Sequence, residues 1–483
     1  MAKDDITRRT MIAATTTLGA ASLFPKRTMA QAGSASPARG TDRPTATLPA
    51  RGEFVVRGAH VLTMDPAIAD LPRGDLHVRD GAIVAVGANV AAPGAEVIDG
   101  NGMICMPGFV DTHWHLWTSL LRPVVRQDDP KRGYFPVTAR LGVHYTPEDS
   151  YRSVRFGLAE ALAAGITTTQ NWAHNVRSPA HADAEMGAMR DAGIRGRFAY
   201  GSPLGEPNEK PMDLADLARA KRDWVGKDGM LTLGICSRNV GNDPNPTRGT
   251  VTMEMAKKEW GAARALGLPI TLHTSGPRVT KLLEDAGLLG PDLQLVHPLG
   301  LSADDIATLA KHGVHYSSSP TGELRRTGNN QVAELLQAGI VTSLSIDHNT
   351  TYNCDCFVAM RMLYTLNWHN GFKPIKLTTK RLVQLFTIDG AKDLGFADRT
   401  GSLTPGKRAD LILIRTGDIN MAPVGDPYDA VVALAQPINI DTVVVDGRIL
   451  RRGNKFTAMD HAKVVADAMQ SVAALQTKAK WPA

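Results

Sequence analysis

The sequence predicts an α/β protein: a (β/α)8 barrel in the middle of the chain, flanked by a small β-sandwich domain built from both terminal segments. Three observations predict it. Between 103 and 395, apolar strand candidates alternate with helical stretches, the pattern of βα repeats. Outside that region, each end carries short strands punctuated by turns. Finally, histidines and an aspartate stand at the ends of several central strands, which is where a barrel presents its chemistry. A doubly wound sheet is the alternative, but it does not naturally gather polar groups from so many strands.

Taken in order, the folded part begins at Gly52. Strands are predicted at 54–57, 60–63, 75–78 and 82–86, with Gly81 and Gly87 as punctuation. This β unit, 52–102, is too small to be robust alone. A matching piece, 396–455, contains the turn Gly401–Asp410, a strand at 411–414, and a strand pair at 442–450 joined by the Asp446-Gly447 turn. Pairing the two pieces into one sandwich is the economical solution. The barrel, 103–395, takes its first strand at 103–110 and the others at 166–169, 197–200, 231–235, 270–273, 293–297, 314–316 and 342–347. Helices at 147–164, 253–265 and 331–338 lie between them, and a C-terminal helix occupies 456–483.

The chain of 483 residues, with 43% hydrophobic and 21% charged residues, has the composition of an ordinary globular enzyme. No apolar run reaches the ~18 residues of a membrane span, so no integral membrane segment is expected. Residues 1–32 read as a twin-arginine signal: Arg8-Arg9, a Thr/Ala-rich apolar stretch, then the small-x-small site Ala30-Gln31-Ala32. The alternative is a basic tail. Export, to the periplasm or beyond, and recognition by the twin-arginine machinery follow from the first reading. Residues 33–51 read as a flexible leader. The first 32 residues supply +3 of the net charge of +6, so the remainder is too weakly basic to argue for nucleic acid. Cys105, Cys236, Cys354 and Cys356 make no disulfide framework in a chain this long; buried or incidental thiols are expected.

The informative stretch is Pro107-Gly108-Phe109-Val110-Asp111-Thr112-His113-Trp114-His115. Side chains two apart on a strand share a face, so His113 and His115 can converge on one cation. His273, His297 and Asp347 each end or follow an apolar run. Any one of them has an ordinary reading as a strand cap; together, in chain order, they point to a metal-dependent site.

These stretches resemble the amidohydrolase superfamily, in its cytosine deaminase and chlorohydrolase-like branch. Pro107–His115 is similar to the strand-one signature of that branch, and Gly401–Asp410 and Val443–Arg448 are similar to its C-terminal motifs. The resemblance spans 52–455 and implies a distorted barrel holding one divalent metal, zinc first and iron or manganese as alternatives, on His113, His115, His273 and Asp347. It also implies His297 and Asp347 as catalytic residues, with Asp347 accepting a proton from water and His297 orienting the nucleophile or shuttling the proton. Similar proteins are commonly multimers, so a homo-oligomer is compatible with it. No lysine ends the strand at 231–235, which favours one metal over two.

One position departs from the branch. Its deaminases carry a glutamate three residues after the third histidine; here the run is His273-Thr274-Ser275-Gly276, and glycine carries no proton. The leading expectation is therefore hydrolysis of a non-peptide C–N bond, such as an amide, urea or cyclic amide, of a small cyclic or aromatic compound. A deaminase with a relocated proton donor and a non-catalytic metal-binding scaffold are the alternatives. Glu323 could substitute for the missing acid, against a default as an exposed loop carboxylate. Trp117, Asn171, Trp172, His174 and Arg238 follow or end strands and are candidates for the substrate pocket. For the tryptophans the competing role is packing, and for Arg238 it is a salt bridge. His348 reads as a supporting or structural residue, and His315 is left outside the site.

Overall fold

The computed structural model describes residues 46–226, 228–241, 250–274 and 277–481. The expected signal segment 1–32, most of the leader, and Ser275-Gly276 lie outside the described residues. No described helix is long and apolar enough to cross a membrane.

Eight parallel strands form the central sheet, in the order of the chain: Phe109–Trp114, Ile166–Ala173, Arg195–Tyr200, Leu231–Ser237, Ile270–His273, Leu293–Val296, His315–Ser318 and Thr342–Leu344. Helices such as Pro147–Ala163 and Met253–Ala265 connect them, at the ranges their periodicity predicts. Pro147–Ala163 starts sharply because Thr146 and Asp149 form a capping box with a proline just inside. The first and last strands meet through a single bridge, Trp114 with Asp347, which completes a distorted barrel. Two backbone bonds hold this seam: Asp347 N–H to the His113 carbonyl (2.9 Å) and His115 N–H to the Asp347 carbonyl (2.7 Å).

The inside of the barrel is filled, and by polar groups. Thr112 Oγ1 lies 2.7 Å from Ser343 Oγ, Gln170 Nε2 donates to Gln294 Oε1 (2.7 Å), and Gln294 Nε2 donates to Asp393 Oδ2 (2.7 Å). All of these residues are buried. Each of these donors finds an acceptor, which is the condition for buried polar groups to be tolerated.

The terminal segments pair as expected, into one continuous nine-stranded sheet. Phe54–Val61, Leu71–Arg79 and Ala82–Gly87 come from the N-terminal side; Leu411–Arg415, Ile440–Val445 and Arg448–Arg452 come from the C-terminal side. The two strands predicted at 54–57 and 60–63 are one strand, with a register shift between Val56 and Ala59. The expected strand at 103–110 is, conversely, two. Met103–Pro107 joins the halves of the terminal sheet, pairing antiparallel with Leu411–Arg415 and parallel with Phe54–Val61. Phe109–Trp114 belongs to the barrel. Gly108 is where the chain crosses: a Cβ there would lie 2.2 Å from Thr167 Cγ2, so only glycine fits between the two sheets. The C-terminal helix spans His461–Lys478 and packs against Pro147–Ala163. The four cysteines are buried and free.

Candidate functional site

The strand ends bring five predicted residues together. His113 sits on the first strand and His115 just after it; His273 ends the fifth; His297 follows the sixth; Asp347 follows the eighth. His113 Nε2 is 3.2 Å from His273 Nε2 and 3.5 Å from Asp347 Oδ1. His115 Nε2 is 3.4 Å, and His297 Nε2 4.0 Å, from the same oxygen. Potential ligand atoms of His113, His273 and His297, and those of His113, His115 and Asp347, lie within 4.8 Å of one another.

The backbone is bent to achieve this. His297 and Asp347 adopt φ of 69° and 67°, a left-handed conformation that is unfavourable for residues other than glycine. Backbone bonds fix both: His297 N–H to the Ser317 carbonyl (3.0 Å), and the seam bonds at Asp347. Gly322 leaves room for the carboxylate, since a Cβ there would come within 3.0 Å of Asp347 Oδ2.

Burial keeps the imidazoles neutral. It depresses His113 to about 4 and His115 to about 3, against the opposing pull of Asp347. His273 and His174 are also held well below the usual histidine range, first by burial and then by neighbouring histidines. Burial opposes ionisation of Asp347, but His348, His297 and the hydrogen bonds of His113 and His115 outweigh it and hold the carboxyl well below its ordinary range. Neutral imidazoles and an ionised carboxylate aimed at one point are a donor set for a divalent cation. The His113–His273–His297 and His113–His115–Asp347 groups, which share His113, therefore fit a metal ion. His113 Nδ1, on the far side of its ring, is buried without a hydrogen-bond partner among the described residues.

The supporting residues set ring orientation. Trp117 Nε1, a donor only, points at His174 Nδ1 (3.2 Å), and His115 Nδ1 faces the same atom at 3.0 Å. A proton on His115 Nδ1 donated there leaves Nε2 bare toward Asp347. Trp172 packs against His273, with ring centres 4.1 Å apart, and meets His113 edge-on at 4.5 Å.

A cavity of about 380 Å³ opens over the cluster, lined by Trp172, His174, Arg238, Tyr134 and His348 among others. Trp172, His174 and Arg238 thus stand where a pocket residue should. Two other expectations are corrected. Asn171 points away from the cavity, because strand alternation turns it outward as Trp172 turns inward; its Nδ2 donates to Glu185 Oε2 (2.9 Å) on helix Pro179–Ala192. Trp117 is buried in an apolar cluster with Leu120, Leu121 and Tyr145 and reaches the site only through His174. Arg238 lines the cavity while bound to Glu259 (2.5 Å) and the Lys210 carbonyl (2.9 Å).

Glu323 reverses its default. Helix Pro320–Thr327 carries it, fully buried, against His297, with Oε1 3.0 Å from Nδ1. Ser318 Oγ (2.7 Å), Ser319 N–H (2.7 Å) and Asn330 Nδ2 (2.6 Å) also converge on this carboxyl. The signal available in the sequence was the run of serines and the Pro-Thr-Gly-Glu step directly after a strand. Tyr134 gave no signal at all; its ring stacks on His348 at 4.7 Å. His348 lines the cavity with Nε2 4.0 Å from Asp347 Oδ2. It is depressed by burial, and the charges of Arg325 and Arg326 lower it further against the pull of Asp347. His315 is paired with Asp393 at 3.3 Å, away from the cavity lining.

Fold and site together define a class. Residues 104–450 match the model of the amidohydrolase family, and the chain belongs to that family. It is 29% identical over 447 residues to a 5'-deoxyadenosine deaminase of Methanosarcina barkeri, covering 88% of this chain and 99% of the relative. It is 29% identical over 449 residues to a 5-methylthioadenosine/S-adenosylhomocysteine deaminase of Symbiobacterium thermophilum, covering 87% and 99%. Among solved structures, an adenosine deaminase from Xanthomonas campestris with bound zinc superposes with a TM-score of 0.77 at 20% identity, covering 89% of this chain and all of that one. An atrazine chlorohydrolase from Arthrobacter aurescens in complex with zinc gives 0.75 at 21% identity, covering 87% and all of that chain.

Proposed function

We propose that the protein is a one-metal hydrolase that cleaves a non-peptide C–N bond of a small heterocyclic compound, with His297 and Glu323 as its proton-handling pair. The observation that carries this is the buried contact of Glu323 with His297 beside the cluster. His113, His115, His273 and Asp347 would hold the cation, zinc first and iron or manganese as alternatives. When bound, it supplies Lewis acidity and brings the pKa of water toward ~7.

The chain's own residues do the rest. Three donors already point at Glu323, so the carboxyl acts as the acceptor for His297 Nδ1–H. That bond fixes the ring and leaves His297 Nε2 as the atom that takes and returns a proton. Asp347 accepts a proton from the attacking water as its oxygen bonds to the substrate carbon; that proton passes to His297 Nε2, which delivers it to the departing nitrogen as the C–N bond breaks. Trp172 and Tyr134 offer flat surfaces to a ring. With Gly276 after His273, no side chain at that position can protonate a ring nitrogen, which favours amide, urea or cyclic amide substrates. The likeness to deaminases over nearly the whole chain supports the second reading, an aminohydrolase whose acid has moved to the His297–Glu323 pair.

A panel of cyclic amides, ureas and aminoheterocycles, assayed in parallel for ammonia and for ring opening, separates these readings. Turnover without ammonia supports cyclic amide cleavage. Ammonia from an aminoheterocycle supports deamination. No turnover by the metal-loaded protein across the panel leaves a metal-binding scaffold. Residues 1–32 are proposed as a twin-arginine export signal; the N-terminal sequence of the protein recovered from its native compartment, beginning after Ala32 or not, decides it.

A further inference from the structure

The charge on the cavity lining is unbalanced in a way that hydrolysis does not require. Among the described lining residues Asp347 is the one carboxylate, while Arg238, Arg325 and Arg326 are all present. Arg238 is neutralised by its buried ion pair with Glu259. The other two are not. They lie on helix Pro320–Thr327, exposed where Glu323 of the same helix is buried. Arg325 donates to the neutral amide oxygen of Gln127, and among the described residues no carboxylate stands within ion-pair distance of either guanidinium.

The helix directly follows the seventh barrel strand, so it carries the acid/base partner inward and, at the exposed side of the lining, two cations with no carboxylate partner among the described residues. The same cavity is lined by Trp172, Tyr134 and Leu204, which offer apolar surface to a ring. Guanidinium groups bind carboxylates through paired N–H donors, and an uncompensated pair at a cavity mouth raises the local concentration of anionic ligands.

We propose that Arg325 and Arg326 form an anion-recognising rim, and that the substrate is a ring compound bearing a carboxylate on the side that faces away from the metal centre. This deepens the reading above and rests on it for the identity of the cavity as the substrate site. The rim discriminates between charged and neutral forms of one skeleton.

The test uses the full-length, metal-loaded protein and two probes of equal shape, 3-phenylpropionate and 3-phenylpropanamide, with affinities measured by calorimetry. The carboxylate is expected to bind wild type about tenfold better, relative to the amide, than it binds Arg325→Gln/Arg326→Gln. The preference is retained in Arg325→Lys/Arg326→Lys and shrinks as salt rises from about 0.05 to about 0.5 M. Any direct contact of the carboxylate with the metal is common to all variants and cancels in the ratio. An unchanged ratio in the Gln variant overturns the proposal, as does equal binding of both probes to wild type. Because binding needs no turnover, the outcomes are separable. A shifted ratio with no turnover across the C–N panel defeats the hydrolase reading alone, whereas turnover with an unshifted ratio defeats the rim alone.

Discussion

The two ends of the barrel use the same residue types to opposite purposes. At the base, Arg195 begins the third strand and is fully buried. It donates to Asp410 through Nε (2.6 Å) and Nη2 (3.2 Å), and to the Gly229 carbonyl through Nη1 (2.9 Å). Asp410 also accepts from the Asp446 N–H at 2.7 Å, and Asp446 pairs with Arg408 at 2.5 Å. Every charge there meets its opposite, and the result fastens the barrel to the terminal sheet. At the other end, the imidazoles of His113, His115, His273 and His297 and the Asp347 carboxylate cluster together, with His297 and Asp347 in strained backbone. A closed network is a fastening; an open one is a binding site.

Breaking the open end has the largest consequence. Asp347→Asn removes both a proposed ligand and a proton acceptor, so activity falls at least about a thousandfold, ~4 kcal/mol of barrier, while the fold is retained by circular dichroism. Equal activity in the variant would remove Asp347 from the reaction. Breaking the closed end does the reverse. Arg195→Met leaves Asp410 buried without its cation, whereas Asp446 keeps Arg408, and costs about 3–5 kcal/mol of stability in guanidinium unfolding; the folded fraction keeps its metal content. A stability change near zero would mean the network is not the fastening described.

Two smaller tests sharpen the contrast. Glu323→Gln keeps shape but weakens the acceptor for His297 Nδ1–H, and lowers kcat about ten- to a hundredfold with KM and metal content nearly unchanged. A metal-depleted variant would instead make Glu323 structural. Glu185 is a buried carboxyl of neither kind: one oxygen accepts from Asn171 and the other has no partner among the described residues. Burial raises it from 4.5 to about 8, against the lowering effect of Asn171. An acid raised on folding keeps its full contribution below its unfolded value and loses it as pH climbs through the folded one. Wild type should therefore lose stability between about pH 5 and 8, on the order of 1 kcal/mol or more, and Glu185→Gln should be flatter across that range. Parallel pH profiles of melting temperature would show that Glu185 does not titrate there.

Much of this contrast was legible in the sequence, and the failures have physical causes. The barrel was readable because its strands are apolar runs and its polar strand ends stand out against them. His113, His115, His273, His297 and Asp347 were found for that reason, and the structure brings all five together. Met103–Pro107 and Phe109–Trp114 read as one strand because the break between them is steric, a contact of Gly108 with Thr167 that only the fold creates. Asn171 was misplaced because following a strand does not say which face a side chain takes. Glu323 looked like a loop residue since its burial depends on His297, Ser318 and Asn330, partners that no local pattern reveals. Arg325 and Arg326 were invisible for the same reason: unpaired charge is a property of neighbours.

The most direct measurement is metal content of the purified protein beside His273→Ala and Asp347→Asn, by plasma mass spectrometry after reconstitution at neutral pH. About one divalent ion per chain, lost or loosened in both variants, is the predicted result. No metal in wild type, or one held equally well by all three proteins, would contradict the assignment of the open end as a metal centre.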